Sequence, residues 1–489
     1  MCHLSFLKKM RYEVHGDMKV FFPPFPPYLH TSHKNCLMSP LTLSKTPPGP
    51  TTLSPFGQLF EFRKDSLAFL QQLAEEHGDI AQFRLGPIKV LLVNHPDYIR
   101  EVLSTQNSNF VKGRPLDMAK ELLGEGLLTS EGEHHKRQSR IIQPAFHRRM
   151  VESYAPAVTE YAVKLMDKWE DGQEVEIMEE MVKMSTAIAG KAFFNADLEA
   201  EAPGINQALE DVMSLFGRVT MPFSELILKL PLPDNLRFFR AKKLLDTTID
   251  RIIARRKQHP EDHGDLLSML LNWRDEDGLP MQDQHVHDEA LTLLLTAFDT
   301  TSLALTWTWY LLSQHPEAER ELHQEIDQLL GGRLPTMEDY HKLTYTRMVM
   351  GESMRLYPPL YLVAREALDD FSLGEYRIPK GTLVLVSPYL MQRDKRFFID
   401  PDQFSPHNWG EHEKNSKSKY EYFPFSMGPR ACIGQPFAWL EGILALATIG
   451  QNWRLKLVPG HRVELDQVLN LRPKFGMKMR VYRRESGTG

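Results

Sequence analysis

Cys432 sits in the run Phe425-Ser426-Met427-Gly428-Pro429-Arg430-Ala431-Cys432-Ile433-Gly434, which leads straight into an apolar stretch from about Pro436. A sulfur at a helix start meets the positive end of the helix dipole and unpaired N–H groups. Both lower its pKa and tune whatever metal it binds. Gly428 allows a tight turn, Gly434 lets a flat ligand approach the backbone, and Arg430 offers a carboxylate two parallel donors. Taken alone, one loop cysteine is more often an inert buried thiol. A second unusual stretch is Leu291 to Leu305, strongly apolar yet carrying Asp299-Thr300-Thr301-Ser302 in its middle. Ser and Thr in a helix can bond the carbonyl four residues back and bend it; the plainer explanation is a solvent-facing stripe. Glu352 and Arg355, three apart, make an ordinary helical ion pair worth a few tenths of a kcal/mol.

These groups need a scaffold, and the periodicity is mainly helical. Leu67, Phe69, Leu70 and Leu73 mark a helix over 65–77, and helices are expected over 131–172, 177–196, 205–217, 237–258, 262–273, 284–331, 343–357 and 432–451. Ile80 to Asn94 alternates around Gly86-Pro87 as a hairpin, Pro96 opens a short helix to Leu103, and 376–390 reads as short strands. The fold class is therefore mainly α with small β-sheets. With 489 residues, 42% of them hydrophobic, the chain buries a large core. There are 58 basic and 64 acidic residues, net −6, which argues against a dedicated nucleic-acid binder. Cys2, Cys36 and Cys432 are too few for a disulfide framework or a four-cysteine iron–sulfur cluster, which points to a reducing compartment. Residues 1–50 read as an irregular, Pro-rich extension and 51–489 as one domain. The apolar run Val20 to Leu29 has about ten residues where a membrane span needs roughly 20, and four prolines break it. No transmembrane anchor is expected there, with peripheral membrane contact through Phe21, Phe22, Phe25 and Tyr28 as the alternative.

The decapeptide resembles the Phe-x-x-Gly-x-Arg-x-Cys-x-Gly haem-binding loop of the cytochrome P450 family, with all five fixed positions matched. The resemblance covers roughly residues 50–485 and implies that family's triangular helical fold in a soluble, bacterial-like member. By it Cys432 is the proximal ligand of haem b, iron protoporphyrin IX, with Arg430 on a propionate and Phe425 near the sulfur. Thr296-Ala297-Phe298-Asp299-Thr300-Thr301 is similar to the family's distal motif. Thr300 would hydrogen-bond dioxygen, Asp299 would relay protons, and small Ala297 would leave room over the iron; Ala297 and Thr296 depart from the usual Gly and small apolar residue. Glu352 and Arg355 match the Glu-x-x-Arg pair, which implies a structural role. Arg365 stands where a propionate-binding Arg is often found. The usual third member of that network is an Arg, here Asn408, which leaves His407 as a candidate substitute. His135 matches the His of a propionate clamp whose Arg is here Ser139.

What the resemblance implies about function is a haem-thiolate monooxygenase that inserts one atom of O2 into a lipophilic substrate such as a terpenoid or fatty acid. No Gly-x-Gly-x-x-Gly fingerprint is present, so electrons are expected from a separate ferredoxin with its reductase or a flavodoxin-type donor. The basic stretch with Lys136, Arg137, Arg140, Arg148 and Arg149 would steer an acidic partner of that kind. A peroxide-driven peroxygenase and a non-catalytic haem sensor are the rivals. Pocket walls are expected from 110–128, 215–232, 293–298 and 362–363, with Lys112 or Arg114 available to a substrate carboxylate. A cytoplasmic monomer is expected.

Overall fold

Three prolines mark how the long apolar stretches are cut. Pro316 stands at the first turn of a new helix after His315 at φ −124°, ψ 82°, so the expected 284–331 segment is two helices, Asp283–Gln314 and Pro316–Leu330. Likewise 131–172 is interrupted near Pro144 and restarted near Pro156, giving Gly132–Ile142, a 3-10 turn Gln143–Phe146, Arg148–Ser153 and Ala155–Met166. His315 is pushed off helical geometry by Pro316, which suits a first turn, whereas Gln143 stays helical (φ −49°, ψ −40°) and the missing N–H of Pro144 ends regular α bonding there. Part of the expected strand region 376–390 is also helical: Ser387 caps Pro388–Met391, its hydroxyl accepting from the Leu390 N–H at 3.2 Å.

The computed structural model describes residues 45–216, 230 and 232–484. The aromatic run Phe21 to Tyr28 and residues 217–229 of the expected pocket wall lie outside it. The compact unit runs from Lys45, and Pro48 O already accepts the Gln82 N–H at 2.7 Å. Helices dominate. The largest sheet has the order β1 (Ile80–Leu85), β2 (Ile88–Val93), β8 (Leu383–Val386), β5 (Val363–Ala367), β3 (Phe110–Val111). The hairpin falls where the alternation places it, Leu85 pairing with Ile88 across Gly86-Pro87. A second sheet joins β4 (Glu174–Glu176), β12 (Lys478–Arg483) and β9 (Trp453–Leu457); β6 (Phe371–Leu373) pairs with β7 (Tyr376–Ile378), and β10 (Leu465–Asp466) with β11 (Arg472–Pro473).

Two long helices frame the core. Asp283–Gln314, the distal helix, packs on Ile177–Phe194; Gln435–Asn452, the proximal helix, packs on Ala155–Met166. Among the described residues only the distal helix is long and apolar enough to cross a membrane, and 83% of its apolar window is buried inside the fold. Trp307 of that helix stacks on Tyr357 at 4.2 Å and donates to Leu471 O at 2.8 Å, which pins the β10–β11 hairpin against it.

Candidate active site

The cysteine loop folds back on itself. Ser426 (φ +58°) and Gly428 (φ +76°) both take left-handed backbone, and a Cβ on Gly428 would stand 2.0 Å from Leu103 O, so only glycine fits there. The Cys432 N–H donates to Phe425 O at 2.9 Å, which sets the sulfur beneath that residue. Gly434 caps the proximal helix, and the Gly434 and Gln435 N–H groups face the thiol. Cys432 has exposed surface, yet protein surrounds it so closely that burial pushes the unligated thiol's pKa up. Its exposed surface therefore opens on an enclosed space. The expected lowering by the helix start is present but outweighed, because desolvation of a thiolate exceeds what two N–H groups return.

A cluster of cations gathers beside that space. β3 pairs with β5 so that Val111 lies opposite Glu366, which brings Lys112 alongside Arg365. Burial, then Arg430 and Arg365, push Lys112 down to about 7. Burial, then Arg430, push Arg365 down to about 10, and burial also lowers Arg430. His135, half-buried, is pushed to about 3 by burial, Arg430 and Lys112, so it is neutral. Arg430 donates to Ser130 O at 2.6 Å and pairs with Glu131, which also accepts the Lys112 N–H at 2.7 Å. Among the described residues Arg365 Nε and Arg430 Nη1 have no partner although both are buried. Thus Arg430, Arg365 and His135 are brought together as the sequence suggested. Lys112, named with Arg114 as available to a substrate carboxylate, lies in this cluster, its Nζ donating to Leu128 O at 2.7 Å. The Arg114 side chain lies outside the description.

Across the core, the distal helix is buried from Asp288 to Trp309 except at Thr296, Ala297 and Thr300. These three share one face, and that face is the one open to space. Thr300 Oγ1 donates to Thr296 O and Thr301 Oγ1 to Ala297 O, both at 3.1 Å, so the hydroxyls are satisfied within the helix. A solvent-facing stripe is overturned: Asp299, Thr301 and Ser302 are buried. Asp299 turns away from Thr300 to Asn470 and Arg472. Burial pushes its carboxyl up while Arg472 and Asn470 oppose that shift.

Glu352 and Arg355 are far from an exposed helical pair. Both are buried, joined by two bonds of 2.7 Å. Arg355 also donates to the carbonyls of Gln392 (2.9 Å), Pro401 (2.6 Å) and Gln403 (2.9 Å), and Glu352 accepts from the Ser405 N–H at 2.9 Å. His407 is not the substitute third member: it is exposed and bonds Glu321 at 2.8 Å. Backbone fills that role. In the basic stretch, Lys136 pairs with Glu133 and Arg148 with Glu152, while Arg137 lies over the Trp273 ring and Arg140 and Arg149 are exposed.

Haem fits this donor set. A propionate-bearing porphyrin needs buried cations with open N–H groups, a small residue such as Ala297 on the facing wall, and a sulfur facing an enclosed space, all of which are present. A family model for cytochrome P450 matches residues 47–479. Among curated relatives, "Cyclooctatin synthase" of Streptomyces melanosporofaciens is 37% identical over 83% of this chain and 89% of its own. "Cyclooctat-9-en-7-ol 5-monooxygenase" of the same organism is 36% identical over 85% and 90%. "Pentalenene oxygenase" of Streptomyces avermitilis is 32% identical over 82% and 90%. Among solved structures, the cyanobacterial CYP120A1 with retinoic acid bound superposes with a TM-score of 0.80 at 26% identity, covering 90% of this chain and 99% of that one.

Proposed function

The chain belongs to the cytochrome P450 family and is a monooxygenase, and from that premise we propose that it uses haem b to oxygenate a lipophilic, terpenoid-type substrate. One observation carries the reading: an enclosed sulfur beside three buried cations, two of which have N–H groups without partners. Haem b on a thiolate supplies dioxygen activation, using two electrons and two protons to place one oxygen atom in the substrate and release the other as water. Cys432 holds the iron. Arg430, Arg365 and Lys112 bind the propionates, and His135, being neutral, adds a donor without adding charge. Ala297 keeps the distal wall small. Thr300 holds a proton at Oγ1, and Asp299, whose carboxyl burial favours neutral and Arg472 favours charged, takes up a proton when the Arg472 contact loosens and gives it up when the contact re-forms, which suits it to relay protons toward Thr300. Electrons arrive from a separate ferredoxin or flavodoxin-type protein, drawn to the basic stretch that includes Arg140 and Arg149.

Support for the substrate class comes from the relatives, which are named "Pentalenene oxygenase" and "Cyclooctat-9-en-7-ol 5-monooxygenase". The test is an optical titration of the purified holoprotein with cyclic terpenes and fatty acids, then turnover with labelled O2 and an electron-donor protein. The expected result is a spin-state change with a cyclic hydrocarbon or its alcohol and one labelled oxygen in the product. Turnover with peroxide alone would assign a peroxygenase, and haem binding without turnover on the whole panel would assign a sensor.

A further inference from the structure

The loop Gly124–Glu131 is tied at both ends. At its far end Arg430 holds Ser130 and Glu131, and Lys112 holds Leu128 O, so this end belongs to the cation cluster. At its near end two adjacent carboxyls of the distal helix reach up to it. Asp288 Oδ2 accepts the Glu125 N–H and Glu289 Oε2 accepts the Leu127 N–H, each at 2.9 Å. The approach is so close that side chains are excluded. A Cβ on Gly124 would lie 2.1–2.5 Å from the Asp288 carboxyl, and one on Gly126 would lie 2.3 Å from Thr292 Oγ1 and 2.8 Å from Asp288 O. Thr129 closes the turn from within, donating to Gly124 O at 2.7 Å.

Two features set this contact apart from ordinary packing. Glu289 is fully buried in a long, largely apolar helix, where burial pushes its carboxyl up to about 8, yet among the described residues its Oε1 has no partner and neither does Thr292 Oγ1 one turn on. A core whose only task was stability would hold an apolar side chain there. The loop runs from these carboxyls to the cations beside Cys432, so Leu127 and Leu128, half-buried at its centre, span the ground between the distal helix and the sulfur's space.

We infer that Asp288 and Glu289 are positioning residues that latch the Gly124–Glu131 strap to the distal helix, and that this latch fixes which carbon of a lipophilic substrate is presented for oxidation. The inference rests on the monooxygenase reading. Glu289→Gln keeps an acceptor for the Leu127 N–H, whereas Glu289→Ala leaves that N–H buried and unbonded, a loss equivalent to about tenfold in binding. In the holoprotein, Glu289→Ala and Gly126→Ala are expected to weaken binding of a hydrocarbon ligand by about tenfold in optical titration and to change the ratio of regioisomeric products several-fold. Glu289→Gln should stay near the parent in both. The reduced carbon-monoxide spectrum should be unaltered in all three, so a lost spectrum in the parent would instead sink the haem reading. Unchanged ligand affinity and product ratio in Glu289→Ala and Gly126→Ala, or changes in Glu289→Gln as large as in Glu289→Ala, would overturn the latch.

Discussion

Two of the buried charge groups in this fold are built in opposite ways. The Glu352–Arg355 network is closed: two carboxylate bonds, three carbonyls and one backbone N–H account for its donors and acceptors. The group around Arg430, Arg365 and Lys112 is open, with three cations against Glu131 and N–H groups that have no partner. Burying cations without counter-charge is costly, so the second group makes sense only with an anion that the polypeptide does not provide. Closed charge marks a structural joint, and open charge marks a binding site.

The sharpest way to separate the two is to remove one charged residue from each. Glu352→Ala strands Arg355 and should cost about 3–5 kcal/mol, enough that little folded protein is recovered with or without haem. Arg365→Met should do the reverse in the haem-free protein, raising its unfolding free energy by about 1 kcal/mol as desolvation and repulsion are relieved, while speeding haem transfer to an acceptor globin by about tenfold. Denaturant titration of the apoprotein and the transfer rate measure both. If Arg365→Met destabilised the apoprotein as Glu352→Ala does, the distinction between closed and open would collapse.

A smaller effect concerns carboxyls that belong to neither group. Burial pushes Glu441 and Glu289 up to about 8 from an ordinary 4.5, against a small opposing pull from the Ser185 hydroxyl at Glu441. Each keeps in the fold a proton that the unfolded chain releases, so each contributes stability below pH 4.5 that is lost as pH rises toward 8. Glu441→Gln should flatten that decline and leave the protein on the order of 2 kcal/mol more stable at pH 8 than the parent, with little difference at pH 4.5. A parallel pH dependence in parent and variant would mean that Glu441 is charged in the fold. Smaller still is the surface term. Reversing Lys136, Arg137 and Arg140 to Glu should slow reduction by an acidic donor protein several-fold at low salt and hardly at all at high salt. Equal rates at low salt would place the donor elsewhere.

Legibility in the sequence followed distance along the chain. The cysteine loop was readable because turn, ligand and helix start fall within ten consecutive positions, and the hairpin because its alternation and turn are adjacent. The open cluster was only half readable. Arg430, Arg365 and His135 came from resemblance, but Lys112 and Glu131 join them through the β3–β5 pairing and the strap, which no local pattern announces. Asp299 shows the same limit, since Asn470 and Arg472 are 171 and 173 residues away. The Glu352–Arg355 pair was seen but its setting was not, because backbone carbonyls from 392–403 carry no residue-specific signal. By contrast, the helix breaks at Pro144 and Pro316 were written in the sequence, where the apolar periodicity on either side masked them.

The central claim is that the sulfur of Cys432 and the open cations beside it together hold haem, and the reduced carbon-monoxide complex tests it most directly. The parent should show the strongly red-shifted absorption that a thiolate ligand would give to the carbon-monoxide complex, and Cys432→Ser should retain porphyrin on the Arg430, Arg365 and Lys112 cations while losing that shift. A parent without the shift, or a Cys432→Ser variant that keeps it, would contradict the account.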